Sequence, residues 1–293
     1  MTKALTLAAV AMLAIAGTAA AAPAVKPPAE PQHVMSLNIC TDQLILQLLA
    51  PARIASVSYL SRVSENSFLT AEAFGVRVNY ATSEEVLQQH PDLVIAGNNS
   101  TPAIRALLRQ VGIPLVEVPA AENFAQIRDN TRLVAHAVGE DEKGEALIAR
   151  MDATLAELAV TKPQRRIVVA GWEEQGNVPG KGTLFDAILT AAGGENIIAN
   201  LKSGLVYGRY TGFDLEQLVA MRPDILAYGS TRLGRQDLSG EQLQHRLVRK
   251  LYGTRTITYP ETLYSCGLPQ SADAARAFRR AMLAAMPTEN AAP

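Results

Sequence analysis

The sequence predicts an α/β protein of two lobes, each with a mostly parallel sheet covered by helices, joined by a single long backbone helix. Three observations carry this expectation. Short apolar runs of strand length alternate with helical windows along most of the chain, the pattern of parallel sheets with helical crossovers. A segment of the first half recurs in the second half. A window near the middle keeps helical spacing without interruption.

The alternation places strands at 34–38, 54–57, 114–118, 166–170 and 256–259, and helices at 42–49, 101–111, 183–192 and 271–286. The recurrence aligns residues 84–97 with 216–229, so that Pro91-Asp92 and Gly97 fall on Pro223-Asp224 and Gly229 without a gap. Each copy reads as a helix stopped before a proline, whose predecessor avoids the α region, then a short buried strand closed by glycine. Use of a common turn solution twice is the plain alternative; two lobes of one construction is the stronger reading. In the middle window, from 141 to about 159, Ala146, Leu147, Met151, Thr154, Leu155 and Leu158 share one helical face. At 1.5 Å per residue it reaches about 28 Å, enough for a stiff spine between lobes. An ordinary surface helix of the first lobe is the alternative.

Composition bounds the function. Hydrophobic residues are 48% and charged residues 19% of the 293, and 27 Lys+Arg stand against 28 Asp+Glu. That balance excludes a disordered chain and a polybasic binder, so no nucleic-acid partner is expected. Two cysteines exclude a disulfide-dense scaffold and a four-thiolate zinc site.

Lys3, an apolar run over 4–17 and Ala19-Ala20-Ala21 have the order of a secretory signal, with cleavage expected near Ala21. The expected organisation is therefore a signal peptide at 1–21, a proline-rich flexible leader at 22–32, a first lobe at 33–140, the linking helix at 141–160, a second lobe at 161–288 and a disordered tail at 289–293. An exported chain meets an oxidising compartment, where Cys40 and Cys266 form an even pair.

In open α/β sheets ligands bind beyond the carboxyl ends of the strands. The residues that follow the expected strands include Cys40, Tyr59, Arg62, Tyr80, Asn98 and Asn99 in the first half. In the second half they include Trp172, Glu173, Tyr207, Arg209, Tyr210, Arg232, Tyr264 and Cys266. The one tryptophan and six of the eight tyrosines fall in such loops, which points to a surface for stacking on a large planar or amphipathic ligand. Burial within its own lobe is the plain alternative for each ring. Arg62, Arg209 and Arg232 offer guanidinium groups to carboxylate, catecholate or phosphate edges. Cys40 and Cys266 leave three readings open: a bridge that clamps the lobes, free thiols touching the ligand, or unpaired burial.

Other chemistries fit less well. His33, His90, His136 and His245 show no i, i+4 pair, so no bare-metal site is expected. The glycines over 176–183 lack phosphate-loop spacing, and Thr183 reads as a helix N-cap. Glu173 and Glu174 are adjacent on an extended segment and point to opposite faces, unlike a hydrolase pair.

Val34-Met35-Ser36-Leu37-Asn38, the Pro91-Asp92-Leu93-Val94-Ile95 strand, the spine helix and Ala191-Ala192-Gly193-Gly194-Glu195-Asn196 together resemble the helical-backbone (class III) periplasmic substrate-binding proteins of ABC importers, in their cobalamin and ferric-siderophore group. The resemblance covers roughly 33–286. It implies two Rossmann-like lobes on one long helix, a metal chelate held in the cleft between them, and no intrinsic cofactor or catalytic residue. It also implies a monomer in the periplasm, with the ABC permease and its ATPase at the inner membrane as partners. Tyr59, Tyr80, Asn98, Trp172 and Tyr210 fall near the positions where members touch ligand. A heme carrier of the same fold and an exported hydrolase using the cleft are the alternatives, with Tyr59, Tyr207 or Tyr264 as iron ligands in the first. Members usually carry a glutamate on each lobe for arginines of the permease. Here the stretch after Asn98 and Asn99 runs Ser100-Thr101-Pro102-Ala103-Ile104-Arg105 and has no carboxylate, so the first-lobe contact does not carry over.

Overall fold

The computed structural model describes residues 26–98, 102–172, 177–200, 206–207, 210–212, 215–229, 245–259 and 261–286. The expected signal peptide and tail lie outside them. In the first lobe β1 (Val34–Ser36), α1 (Ile39–Leu48), β2 (Ile54–Ser58), α2 (Thr70–Phe74), β3 (Val78–Asn79), α3 (Ser83–Gln89), β4 (Leu93–Gly97), α4 (Pro102–Val111), β5 (Leu115–Val118) and α5 (Phe124–Ala137) alternate along the chain. After α6 (Asp141–Val160) the second lobe has β6 (Ile167–Trp172), β7 (Asn177–Pro179), α7 (Leu184–Ala191), β8 (Gly194–Asn196), β9 (Val206–Tyr207), β10 (Tyr210–Gly212), α8 (Leu215–Met221), β11 (Ile225–Gly229), α9 (Arg246–Tyr252), β12 (Thr256–Tyr259) and α10 (Ser271–Ala285).

The first sheet is parallel throughout, in the order β3-β2-β1-β4-β5. The main sheet of the second lobe is also parallel, in the order β12-β11-β6-β8, so β8-β6-β11-β12 repeats β2-β1-β4-β5. Both faces of each sheet are covered. Leu93 and Ile95 of β4 point into one apolar cluster and Val94 into another, and Ile225 and Ala227 of β11 alternate in the same way with Leu226. Beside the second sheet lies an antiparallel β7-β10-β9 sheet that the apolar pattern does not predict, because its strands are two or three residues long.

The recurrent segment has a structural reason in both lobes. Helix α3 ends on His90 and α8 on Arg222, both left-handed at φ 45° and 49°, as the following proline disfavours the right-handed α region. The next residue is then an aspartate clasp. Asp92 N donates to His33 O at 3.1 Å while Asp92 Oδ1 accepts from His33 N at 3.0 Å. Asp224 N donates to Val168 O at 2.8 Å while Asp224 Oδ2 accepts from Val168 N at 2.9 Å. Each clasp joins the start of one strand to its neighbour at the sheet centre, β4 to β1 and β11 to β6.

Helix α6 packs on both lobes with one face. Leu147 belongs to the first-lobe core, Met151 to a cluster at the junction with Ile127 and Ala272, and Leu158 to the second-lobe core. At its start α5 comes so close that a Cβ on Gly144 would stand 2.5 Å from Ala135 Cβ. Arg128–Asp152 and Arg132–Glu145 tie α5 to α6, and Arg276 ties α10 to Glu157 and Thr154. Among the described residues no helix is long and apolar enough to cross a membrane.

Candidate functional site

The crevice of the first lobe is fixed by topology. Chain direction across the sheet reverses between β1 and β4, so the loops after these two strands part at their carboxyl ends. Onto this edge comes a strap from the second lobe, residues 264–270, which leaves the carboxyl side of β12 before α10 begins. Cys266 in the strap is bonded to Cys40 at the start of α1. Cys266 and Leu268 are buried in the first-lobe core, at 2% and 1% exposure. Gln270 Nε2 donates to Gln47 Oε1 at 2.5 Å. The carboxyl edges of the two sheets are thereby held towards one another. Between strap and first lobe remains a cavity of 170 Å³, lined among others by Asn38, Asn98, Asn130, Ala121, Ser265 and Gly267.

Further along the same edge, past β2 and β3, stand two exposed rings. Tyr59 and Tyr80 stack with centroids 4.9 Å apart and 23° between planes, at 44% and 65% exposure. Each directly follows a residue of a buried polar network. Asn79 Nδ2 donates to Ser36 O and Ser56 Oγ, both at 2.9 Å, and its Oδ1 accepts from Ala81 N at 3.1 Å. Glu85 Oε2, part of the capping box that starts α3, accepts from Tyr80 N at 2.8 Å. On the Tyr59 side, Asp42 Oδ2 accepts from Ser58 N at 3.0 Å and from Ser61 Oγ at 2.7 Å. Burial pushes the Asp42 carboxyl up to about 8, against the opposing pull of hydrogen bonds from Ser36, Ser61 and the Ser58 main chain. The backbone beneath both rings is therefore pinned, and the rings are left facing outward.

The other expected site residues are placed as follows. Cys40 and Cys266 form a disulfide, which removes the readings of free thiols at the ligand and of unpaired burial. Trp172 is a correction: at 2% exposure it belongs to the buried cluster of Ala170, Ile198, Leu218 and Tyr252 inside the second lobe. Tyr264 is a second correction in part, being half-buried, with its ring packed against the second-lobe core cluster and edge-on to Phe185 and Tyr259. Arg62 is a third. Its guanidinium donates to Ala73 O at 3.2 Å and Val76 O at 2.6 Å and lies over the Phe74 ring, so it braces α2 rather than offering charge to a ligand. Asn98 is exposed at the cavity rim, and its main chain is held by Val118 O and Arg105. Tyr207 and Tyr210 sit opposite each other in the β9–β10 pair. Asn99, Glu173, Arg209 and Arg232 lie outside the described residues. Thr183 caps α7, accepting from Asp186 N, as its sequence setting indicates. Among the described residues no cluster of three His, Cys, Asp or Glu could hold a metal ion.

Sequence reasoning gave neither Asp42 nor Asn79 a role at the site. Their signal was a polar residue in the first turn of α1 and another at the end of a strand, where side-chain hydrogen bonds to loop backbone are common.

Comparison with known proteins agrees with this architecture. The family model for periplasmic binding proteins matches residues 75–250, more than half of the chain. The chain belongs to that family of periplasmic binding proteins. A cobalamin-binding protein of Halobacterium salinarum is 26% identical over 207 residues, covering 68% of this chain and 54% of the relative. The chain thus spans about half the length of that relative. Among solved structures, the periplasmic heme-binding protein RhuT of Roseiflexus sp. RS-1 has a TM-score of 0.71 at 22% identity, over 87% of this chain and 99% of that one. The vitamin B12 binding protein BtuF of Vibrio cholerae has a TM-score of 0.65 at 18% identity, over 89% of this chain and 100% of that one. At these identities the structures share the fold.

Proposed function

We propose that this chain is the periplasmic substrate-binding component of an ABC importer. It captures a metal chelate of the cobalamin or ferric-siderophore class between its lobes and delivers it, unchanged, to the inner-membrane permease and its ATPase. The observation that carries this reading is the stacked, exposed Tyr59–Tyr80 pair on a pinned backbone, at the edge of the first sheet to which the second lobe is fastened. Two rings held in advance give an exposed aromatic surface at low ordering cost, which suits a bulky planar or amphipathic ligand. The chelator saturates the metal, so the protein needs no metal ligands of its own. Family membership supports export to the periplasm and partnership with a permease, and the disulfide suits an oxidising compartment. The bridge leaves no thiol nucleophile at Cys40, which counts against a thiol hydrolase.

Heme is the second reading, favoured by the exposed phenol of Tyr59, which could ligate iron. A thermal-shift panel of cobalamin, heme and several ferric siderophores tests both. One member is expected to raise the melting temperature, since a ligand at a hundred times its Kd adds about 2.7 kcal/mol. A Soret band lost in Tyr59→Phe would assign heme, and no shift with any chelate would count against the proposal.

A further inference from the structure

Among the described residues the chain passes between the lobes through α6, and this helix with the junction cluster of Ile127, Met151 and Ala272 leaves only small tilts and twists between the lobes. The Cys40–Cys266 bond adds a second tie, between residues 226 apart in sequence, at the floor of the crevice. Two ties restrict relative motion to rotation about the line joining them. The seat of the strap opposes that rotation. Opening would draw Cys266 and Leu268 out of the first-lobe core, part Gln270 from Gln47, and lift Gly267, whose α-carbon lies so near Ala121 that a Cβ there would stand 2.5 Å from Ala121 O.

We infer that the Cys40–Cys266 disulfide is a staple that sets the separation of the lobes by locking the strap of residues 264–270 into the first-lobe crevice. Its sulfurs need not touch a ligand: Cys266 is buried, and the cavity left beside the bond, 170 Å³, is small beside the 300–1,000 Å³ of ordinary ligand pockets. The strap fills the floor at the switch point, so a bulky ligand is displaced towards the Tyr59–Tyr80 wall, and exchange proceeds there without the lobes swinging apart. The staple deepens the binding reading above and rests on it for the ligand, but not for the mechanics.

The test uses no ligand. Hydrogen exchange and small-angle scattering are compared for the oxidised protein, for Cys40→Ser/Cys266→Ser, and for wild type reduced by a trialkylphosphine, which is oxidised to its oxide as the disulfide becomes two thiols. The amides of Ser271 and Ala272, bonded to Leu268 O and Pro269 O, report on the strap. Expected are at least tenfold faster exchange there, unchanged protection of the sheet amides of Val94 and Val169, a larger radius of gyration, and reversal on reoxidation. Unchanged strap exchange overturns the inference, as does a loosened strap at an unchanged radius. Loss of sheet protection in both the variant and the reduced protein also overturns it, since the bond would then support the whole fold. Failure of the chelate panel would leave this result standing, and the reverse holds too.

Discussion

Asp42 is a carboxyl kept from water beneath Tyr59, surrounded by Ser36, Thr41, Ser58 and Ser61 and by no charged side chain among the groups that shift it. With its folded value raised to about 8 and an unfolded value near 3.9, the folded protein holds a proton that the unfolded chain releases between these limits. Stability from this group is complete below the unfolded value and is lost as pH rises towards the folded one. The slope is at most about 1.4 kcal/mol per pH unit. Asp42→Asn, which keeps the shape and cannot titrate, is expected to remove this slope. Urea unfolding at pH 5 and pH 8 should show wild type losing more stability than the variant; equal losses would place the carboxyl outside this account. The residue scale also shows where reading a sequence stops. Tyr59 and Tyr80 were legible as loop residues because they follow strand ends, and the cysteines because two in the chain make an even pair. Trp172 was not, because β6 runs two residues past the expected 166–170. Position 172 therefore shares a face with Ala170 and turns its ring inward.

At the scale of elements the spine was the clearest feature, since Leu147, Met151 and Leu158 repeat at helical spacing over a 20-residue helix. The clasp that follows each recurrent helix was half legible. Proline marked the turn, but the hydrogen bonds of Asp92 and Asp224 to the central strand depend on sheet order, which no local pattern encodes. The β7-β10-β9 sheet left no periodicity to read. One close approach on the spine is Gly144 against Ala135. Gly144→Val is expected to push α5 from α6 and destabilise the protein by about 1–3 kcal/mol in a denaturant titration. An unchanged midpoint would mean that the two helices separate at no cost, against the close approach seen here.

For the whole molecule, two lobes of one strand order present their carboxyl edges to each other across a strapped floor, with a stacked tyrosine wall on one side. The alternation and the recurrent segment made this architecture legible. The staple was legible only as one of three options, since pairing depends on how the lobes meet. The central claim is that a bulky metal chelate is gripped at those rings. Its most direct test is calorimetric titration of the oxidised protein and of Tyr59→Ala/Tyr80→Ala with cobalamin, heme and a ferric siderophore. Saturable one-to-one binding of one of them is expected, about tenfold or more weaker in the variant, as the loss of two stacking rings implies. Equal affinity in both proteins, or no saturable binding of any of the three to wild type, would contradict it.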